Sequence, residues 1–326
     1  MILVSILVPV YGAQQYIVEC ARSLFSQSYS NCEFIFVDDA SPDQSLELLK
    51  QTANEFPHLE KRINIIECLK NGGVATARNI AINAATGDYI LFVDADDWVD
   101  KDIVEKLVKK TIETDADVCN AWCESVTAND TRLQESTNWL PNREAHIKAI
   151  LGQSHLVPNH VRGMLLRRSI FEQNNLQFTP KVDFGEDYSL LPQIIYFARK
   201  LSTLQEYLYY YRVCNDSSYM NTIGERHIRN YIAAEKIVND FFKSQPEFKT
   251  YRRSLLLGKV NIRKWIFKRG AAPKEYFNIE ESLTGYPLLW LYNKVIDSGI
   301  KPLVYIFSVL VNFGLYIKVS LQRKLL

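Results

Sequence analysis

Residues 74–97 read VATARNIAINAATGDYILFVDADD. Residues 74–84 have helical spacing, and Tyr89–Val93 is a short, unbroken apolar run. An unbroken apolar run of that length predicts a strand buried on both faces, as in a parallel sheet covered by helices. The strand ends abruptly in Asp94-Ala95-Asp96-Asp97. A helix, a buried strand and a polar strand end are the parts of an α/β fold with a site at the strand's carboxyl edge.

The same alternation extends toward the N-terminus. Residues 3–10 (LVSILVPV) form another apolar strand. In residues 13–29, Ile17, Cys20, Ala21, Leu24 and Phe25 share one helical stripe. Glu33–Val37 is a strand ending in Asp38-Asp39, and Ser41 is placed to cap a helix carrying Leu46, Leu49 and Phe56. Ile63–Cys68 is a further strand. Strands alternating with helices predict a mostly parallel, Rossmann-like sheet with helices on both faces. Ligands bind such sheets beyond the carboxyl ends of the strands. Three ends here carry polar or aromatic clusters: Tyr11-Gly12, Asp38-Asp39 and Asp94-Ala95-Asp96-Asp97.

Beyond residue 100 the pattern is less regular. Residues 125–143 are polar and loop-like, while 144–152 and 168–175 have helical character. Val182–Asp187 is a turn leading into an apolar helix at 188–199, and Leu204–Val213 is a tyrosine-rich strand. From about 224 the chain is helical, over 224–243, 248–268 and 286–300. Pro302–Ile317 is sixteen residues without a charge, bounded by Lys301 and Lys318. It falls short of the roughly 20 residues a spanning helix needs. A helix lying in a membrane interface fits it better.

The 326 residues are 47% apolar and 23% charged, which supports a sizeable core and excludes wholesale disorder. The net charge of +1 hides an asymmetry. Residues 246–326 hold 14 Lys/Arg against 5 Asp/Glu, a net of +9, so the first 245 carry −8. A basic C-terminal third is either a solvated helical face or a surface for an anionic partner. The six cysteines, at 20, 32, 68, 119, 123 and 214, have neither zinc-site spacing nor a nearby His pair, and read as reduced thiols of a cytosolic protein. The N-terminus lacks a basic start and a cleavage site, so it reads as a core strand and not as a signal peptide.

Asp94, Asp96 and Asp97 repel one another, and a cation would offset the repulsion. Oxygen-only ligands favour Mg²⁺ or Mn²⁺, which also bind phosphate oxygens. The plain alternative is a strand-end turn with solvated acids. A carboxylate of Asp38-Asp39 can accept a hydrogen bond from a base or ribose, or Asp38 and Ser41 can simply cap the following helix. Tyr11, just after Pro9-Val10, can stack on a nucleobase or simply edge the core. Asn71-Gly72-Gly73 opens a helix that carries Arg78 one turn in, an arrangement suited to a diphosphate. In Phe184-Gly185-Glu186-Asp187 one carboxylate can serve as a general base, or as an acid favouring the helix dipole.

Together these segments resemble the family 2 glycosyltransferases, of the bacterial polysaccharide and lipopolysaccharide type, which have the GT-A fold. The matching segments are VSILVPVYG at 4–12, FIFVDDASPD at 34–43, NGGVATARN at 71–79, FVDADDW at 92–98 and GEDYSL at 185–190. The resemblance runs over roughly residues 3–220. It implies a catalytic domain at 1–220, with a nucleotide-sugar half at 1–100 and an acceptor half at 101–220, followed by a helical extension at 221–326. It implies that Pro9, Tyr11 and Asp39 contact the nucleobase and ribose, most often uridine. Arg78 would lie near the diphosphate, Asp94 near ribose or metal, Asp96 would be the direct ligand of Mn²⁺ or Mg²⁺, and Asp187 would be the base with Glu186 beside it. Many relatives place a His after the tyrosine-rich strand. Here Cys214 stands at that position, leaving Arg212 and Ser217 to face the phosphates.

The expected activity is inverting transfer of a sugar from a UDP-sugar to a saccharide or lipid-linked saccharide in cell-surface glycan synthesis. One base serves direct displacement, whereas a double displacement needs a second, nucleophilic carboxylate. The rival readings are a catalytically inactive binding protein of the same fold, a sugar-1-phosphate nucleotidyltransferase, and an Asp-x-Asp phosphatase or nuclease. The segment Tyr11–Gln15 lacks the glycines and basic charge that a nucleotidyltransferase needs after its first strand. Peripheral attachment to the inner face of the cell membrane is expected through 246–326, with an oligomer interface as the rival use of that surface. Nucleic acid is not an expected partner, because no nucleic-acid module accompanies the basic residues.

Overall fold

The computed structural model describes residues 1–140, 142–154, 157–213, 224–271, 273, 276, 283, 285–300, 302–304 and 306. The first elements are β1 (Val4–Val10), α1 (Ile17–Phe25), β2 (Cys32–Asp38), α2 (Ser45–Asn54), β3 (Ile63–Glu67), α3 (Val74–Ala84), β4 (Tyr89–Phe92), β5 (Trp98–Val99) and α4 (Ile103–Thr114). There follow β6 (Val118–Val126), β7 (Arg132–Glu135), α5 (Arg143–Leu151), β8 (Met164–Arg167), α6 (Arg168–Gln173), α7 (Glu186–Phe197) and β9 (Leu201–Arg212). The last are α8 (Glu225–Lys243), α9 (Phe248–Lys268) and α10 (Pro287–Asp297).

Two compact units share the chain. The first is Met1–Asn138 with His160–Ile223, and the second is Trp139–Asn159 with Gly224–Leu326. The first unit holds one sheet with strand order β3-β2-β1-β4-β8-β6-β9-β5, and β7 pairs with β6. β3, β2, β1 and β4 run parallel. Beyond β4 the pairing is mixed: β8 is antiparallel to both β4 and β6, β9 is parallel to β6, and β5 is antiparallel to β9. The chain winds outward from β1 through β2 to β3, then returns to place β4 on β1's other side. In open α/β sheets such a reversal marks where ligands bind, here at the carboxyl ends of β1 and β4.

The apolar runs of β1, β2 and β4 form strands because they are buried on both faces; Val4, Ile6, Leu7 and Val8 are wholly inaccessible. The stripe expected on α1 is the buried one: Ile17, Cys20, Ala21, Leu24 and Phe25 pack against the sheet. α2 begins later than Ser41, at Ser45, because Asp43 Oδ1 accepts from the Ser45 amide at 3.1 Å. Ser41 instead accepts from the Gly12 amide at 3.3 Å, which ties the loops after β1 and β2 together.

The middle of the chain contains strands that apolar patterning hides. β6 buries Asn120, Glu124 and Ser125, and these polar residues interrupt its apolar run. Each has a partner on a neighbouring strand: Thr203 Oγ donates to Asn120 at 2.9 Å, Arg132 Nη1 to Glu124 at 3.1 Å, and Ser125 Oγ to Glu135 at 2.8 Å. β7, within the stretch expected to be loop, is an exposed edge strand whose four residues Arg-Leu-Gln-Glu show no alternation. In the second unit, α9 contacts α5, α8 and α10 around a core that includes Leu256, Val260, Tyr292 and Ile296. Arg263 is completely buried there and ion-paired with Asp297.

Candidate active site

The site grows from loops that follow the parallel strands. Pro9 lies half-buried in β1, and Tyr11 beyond it is 55% exposed. After β2, the Asp39 amide donates to Val10 O at 2.9 Å, closing the two strand ends on each other. Ala40 takes a left-handed φ of +57°, which turns the loop sharply. Asp38 is buried; its Oδ2 accepts from the Ser41 amide at 3.3 Å, while its Oδ1 has no hydrogen-bond partner among the described residues.

The Asp39 carboxylate spans the start of α3, accepting from the Gly72 and Gly73 amides at 2.8 Å each. Burial pushes its pKa up, and those two amides oppose the rise. Asp183 approaches the same helix end, accepting from Ala75 N at 3.4 Å. A Cβ on Gly73, whose φ is +85°, would stand 2.3 Å from Asp183 Oδ1. The α3 N-terminus that the sequence offers to a diphosphate is thus occupied by two of the chain's own carboxylates. This is physically expected, because a helix N-terminus attracts any nearby anion.

Arg78, one turn into α3, is 3% exposed. Its Nη2 donates to Asp94 at 3.0 Å, and its Nη1 donates to Glu186 and Asp187 at 3.0 Å each. Burial works against the guanidinium's charge, but Asp187, Asp94 and Glu186 outweigh it and hold Arg78 protonated. One cation therefore joins an acid from β4's end to two acids in the first turn of α7. Gly185, in a left-handed conformation with φ +79°, precedes α7 and turns both acids inward. The Asp187 carboxyl is pushed up by burial, with Arg78 opposing; Glu186 is raised by burial and then by Asp187. Asp187 Oδ2 also accepts from the Val161 amide at 3.4 Å.

The three aspartates after β4 do different things. Asp97 is 1% exposed and points inward, its two oxygens taken by Tyr209 Oη at 2.7 Å and the Arg212 amide at 2.9 Å. Burial raises its pKa strongly, and Asp96 and Asp94 add to the rise. Tyr209 Oη in turn accepts from the Asp94 amide at 3.1 Å. Arg212 Nε donates to Asp96 O at 3.0 Å, and its guanidinium lies 4.5 Å from the Trp98 ring centroid. β9 thus fixes the turn and leaves Asp94 and Asp96 as its partly exposed carboxylates. Repulsion within the cluster is already offset by Arg78 and by Arg162, which lies 4.0 Å over the Tyr211 ring and faces Asp97 and Asp94.

A divalent cation is compatible with the chemistry of this turn. Asp96 and the second oxygen of Asp94 are hard oxygen donors of the kind Mg²⁺ and Mn²⁺ take alongside phosphate oxygens. Among the described residues no group of three or more His, Cys, Asp or Glu is placed to hold a metal alone. Cys214 and Ser217 lie outside the described residues. The roles of Asp97, Tyr209, Asp183 and Arg162 were not foreseen from sequence. Only the proximity of Asp97 to Asp94 and Asp96 hinted at one of them.

Residues 5–174 match the profile of the family described as Glycosyl transferase family 2. The chain belongs to that family. Its relatives include EpsH of Bacillus subtilis (strain 168), a glycosyltransferase by name, which is 30% identical over 77% of this chain and 72% of its own length. The poly(ribitol-phosphate) beta-N-acetylglucosaminyltransferase TarS of Staphylococcus aureus (strain Mu50 / ATCC 700699) is 26% identical over 67% of this chain, which spans only 37% of TarS. The solved structure of S. aureus TarS 1-349 with UDP-GlcNAc superposes with a TM-score of 0.63 at 18% identity, covering 94% of this chain and 91% of that one. The mannosyltransferase PcManGT of Pyrobaculum calidifontis, solved with GDP-Man and Mn²⁺, gives 0.56 at 16% identity, covering 94% and 86%. This family 2 chain is a glycosyltransferase with the GT-A fold expected from its sequence.

Proposed function

We propose that this family 2 enzyme transfers one sugar, with inversion, from a UDP-sugar to a saccharide or lipid-linked saccharide acceptor in cell-surface glycan synthesis. The observation that carries the reading is the buried guanidinium of Arg78, which pairs with Asp94 after β4 and with Asp187 in the first turn of α7 at 3.0 Å each. Asp187 takes the proton of the acceptor hydroxyl. The acceptor oxygen bonds to the anomeric carbon while the bond to the diphosphate oxygen breaks, and the leaving diphosphate keeps that electron pair. Arg78 holds Asp187 in place, and Glu186 beside it shares the same cation.

Pro9, Tyr11 and Asp39 border the nucleoside position at the ends of β1 and β2. The buried Asp38 Oδ1 suits a ligand N–H or O–H, since an unmatched buried acceptor is costly. Asp96, with Asp94, would hold a divalent cation, which when bound stabilises charge on the departing phosphate. PcManGT, solved with Mn²⁺, lends support through the shared fold. The C-terminal residues 246–326, with their net charge of +9, attach the enzyme peripherally to the inner membrane surface.

The test is release of UDP from a panel of UDP-sugars with Mn²⁺ or Mg²⁺, before and after chelation. Release that depends on one UDP-sugar and is lost on chelation is expected. Tight donor binding with no turnover against any acceptor would instead favour an inactive binding protein.

A further inference from the structure

Six of the large apolar side chains exposed among the described residues crowd into nineteen positions of the second unit. Leu288, Trp290 and Leu291 on α10, and Ile300, Leu303 and Ile306 after it, are 39–66% exposed. The opposite face of α10 is already spent on the unit's core, where Leu289, Tyr292 and Ile296 are buried. Packing within the unit therefore explains one face of this helix and leaves the other unexplained.

The charge in this stretch of the sequence is nearly all of one sign. Between Ser282 and Leu326 the sequence contains a single acid, Asp297, whose side chain is 4% exposed and paired with Arg263. Against it stand Lys294, Lys301, Lys318, Arg323 and Lys324. Lys294 Nζ lies 5.6 Å from the Trp290 ring centroid, on the open side of α10. A tryptophan beside a lysine, flanked by leucines, suits the boundary between lipid headgroups and acyl chains. No helix of the described residues is long and apolar enough to cross a membrane, so this surface would lie on a bilayer.

We infer that the open face of α10, together with Ile300, Leu303 and Ile306, inserts shallowly into the surface of an anionic bilayer. This deepens the peripheral attachment proposed above and rests on it: there charge draws the chain to lipid, and here a named apolar face enters it. A second copy of the chain is the poorer occupant. A twofold interface sets the same patch against itself and would bring Lys294 of each copy toward the other.

The experiment uses the full chain with vesicles of phosphatidylcholine alone and with about a third phosphatidylglycerol, adding acyl-brominated lipid to read tryptophan depth. Binding to anionic vesicles is expected, with quenching that is lost in Trp290→Phe. The double variant Leu288→Glu/Leu291→Glu should bind about tenfold or more weakly, with an unchanged thermal melt, since both positions are exposed. If that variant binds like the unaltered chain, the insertion is overturned while charge-driven attachment stands. If the unaltered chain binds no vesicle even at low salt, both fall. A dimer that forms without lipid and is lost in the double variant assigns the face to a protein interface and overturns the proposal.

Discussion

At the residue scale the site is a problem of charge. Four carboxylates, Asp94, Asp97, Glu186 and Asp187, sit near two arginines, Arg78 and Arg162. Asp187→Asn keeps the shape but cannot take a proton. It should lower kcat by about 10²–10⁴-fold with UDP binding retained, read by steady-state kinetics and calorimetry. Undiminished turnover would remove Asp187 from that role. Arg78→Met leaves three carboxylates without their shared cation and should cost about 3–5 kcal/mol in urea denaturation. That loss should shrink as pH falls toward 5, because the buried carboxyls of Glu186 and Asp187, left unpaired, bind protons there; a penalty independent of pH would mean the ion pairs matter little.

At the scale of elements, two glycines separate backbone strain from contact. Gly12 has φ +62° and open space where a Cβ would sit, so Gly12→Ala should cost only the left-handed strain, about 1–2 kcal/mol. Gly73→Ala adds a collision with Asp183 and displaces the cap that Asp39 and Asp183 place on α3. It should be the more destabilising of the two and should also weaken UDP binding, because Arg78 rides on that helix. Equal stability losses would show that the Asp183 contact relaxes freely. The legible elements were those whose burial is simple. β1–β4 and their helices follow apolar runs and stripes, whereas β6 was hidden by Asn120, Glu124 and Ser125, whose partners lie on other elements. β7 was hidden because an exposed edge strand needs no apolar face.

At the scale of the whole molecule, buried acids give stability a slope with pH. Burial pushes Glu235 up to about 7; Lys259 opposes from 3.7 Å. A carboxyl raised above its unfolded value binds more protons when folded, so its contribution is present below about pH 4.5 and is lost as pH rises through about 7. The effect is at most about 3 kcal/mol. Glu235→Gln should therefore match the unaltered chain at low pH and flatten its decline by pH 8, measured as urea midpoints. With Asp187 as the proposed base, sugar transfer should increase as pH rises and Asp187 and Glu186, both raised by burial, ionise, as read from a pH–rate profile.

The sequence by itself determined the alternation of β1 to β4 with their helices, the order of the five motifs and the family, because each is written in contiguous residues. It also named Asp39, Arg78, Asp94, Asp96, Glu186 and Asp187 as the polar residues at strand and helix ends. Tertiary structure decided their partners. It put Asp39 on the α3 amides, turned Asp97 inward to Tyr209, and brought Arg78 to Asp187 across 109 positions of chain. Hydrogen bonds and ion pairs act over about 3 Å of space whatever the separation in sequence, so only the folded sheet could select which acids share one cation.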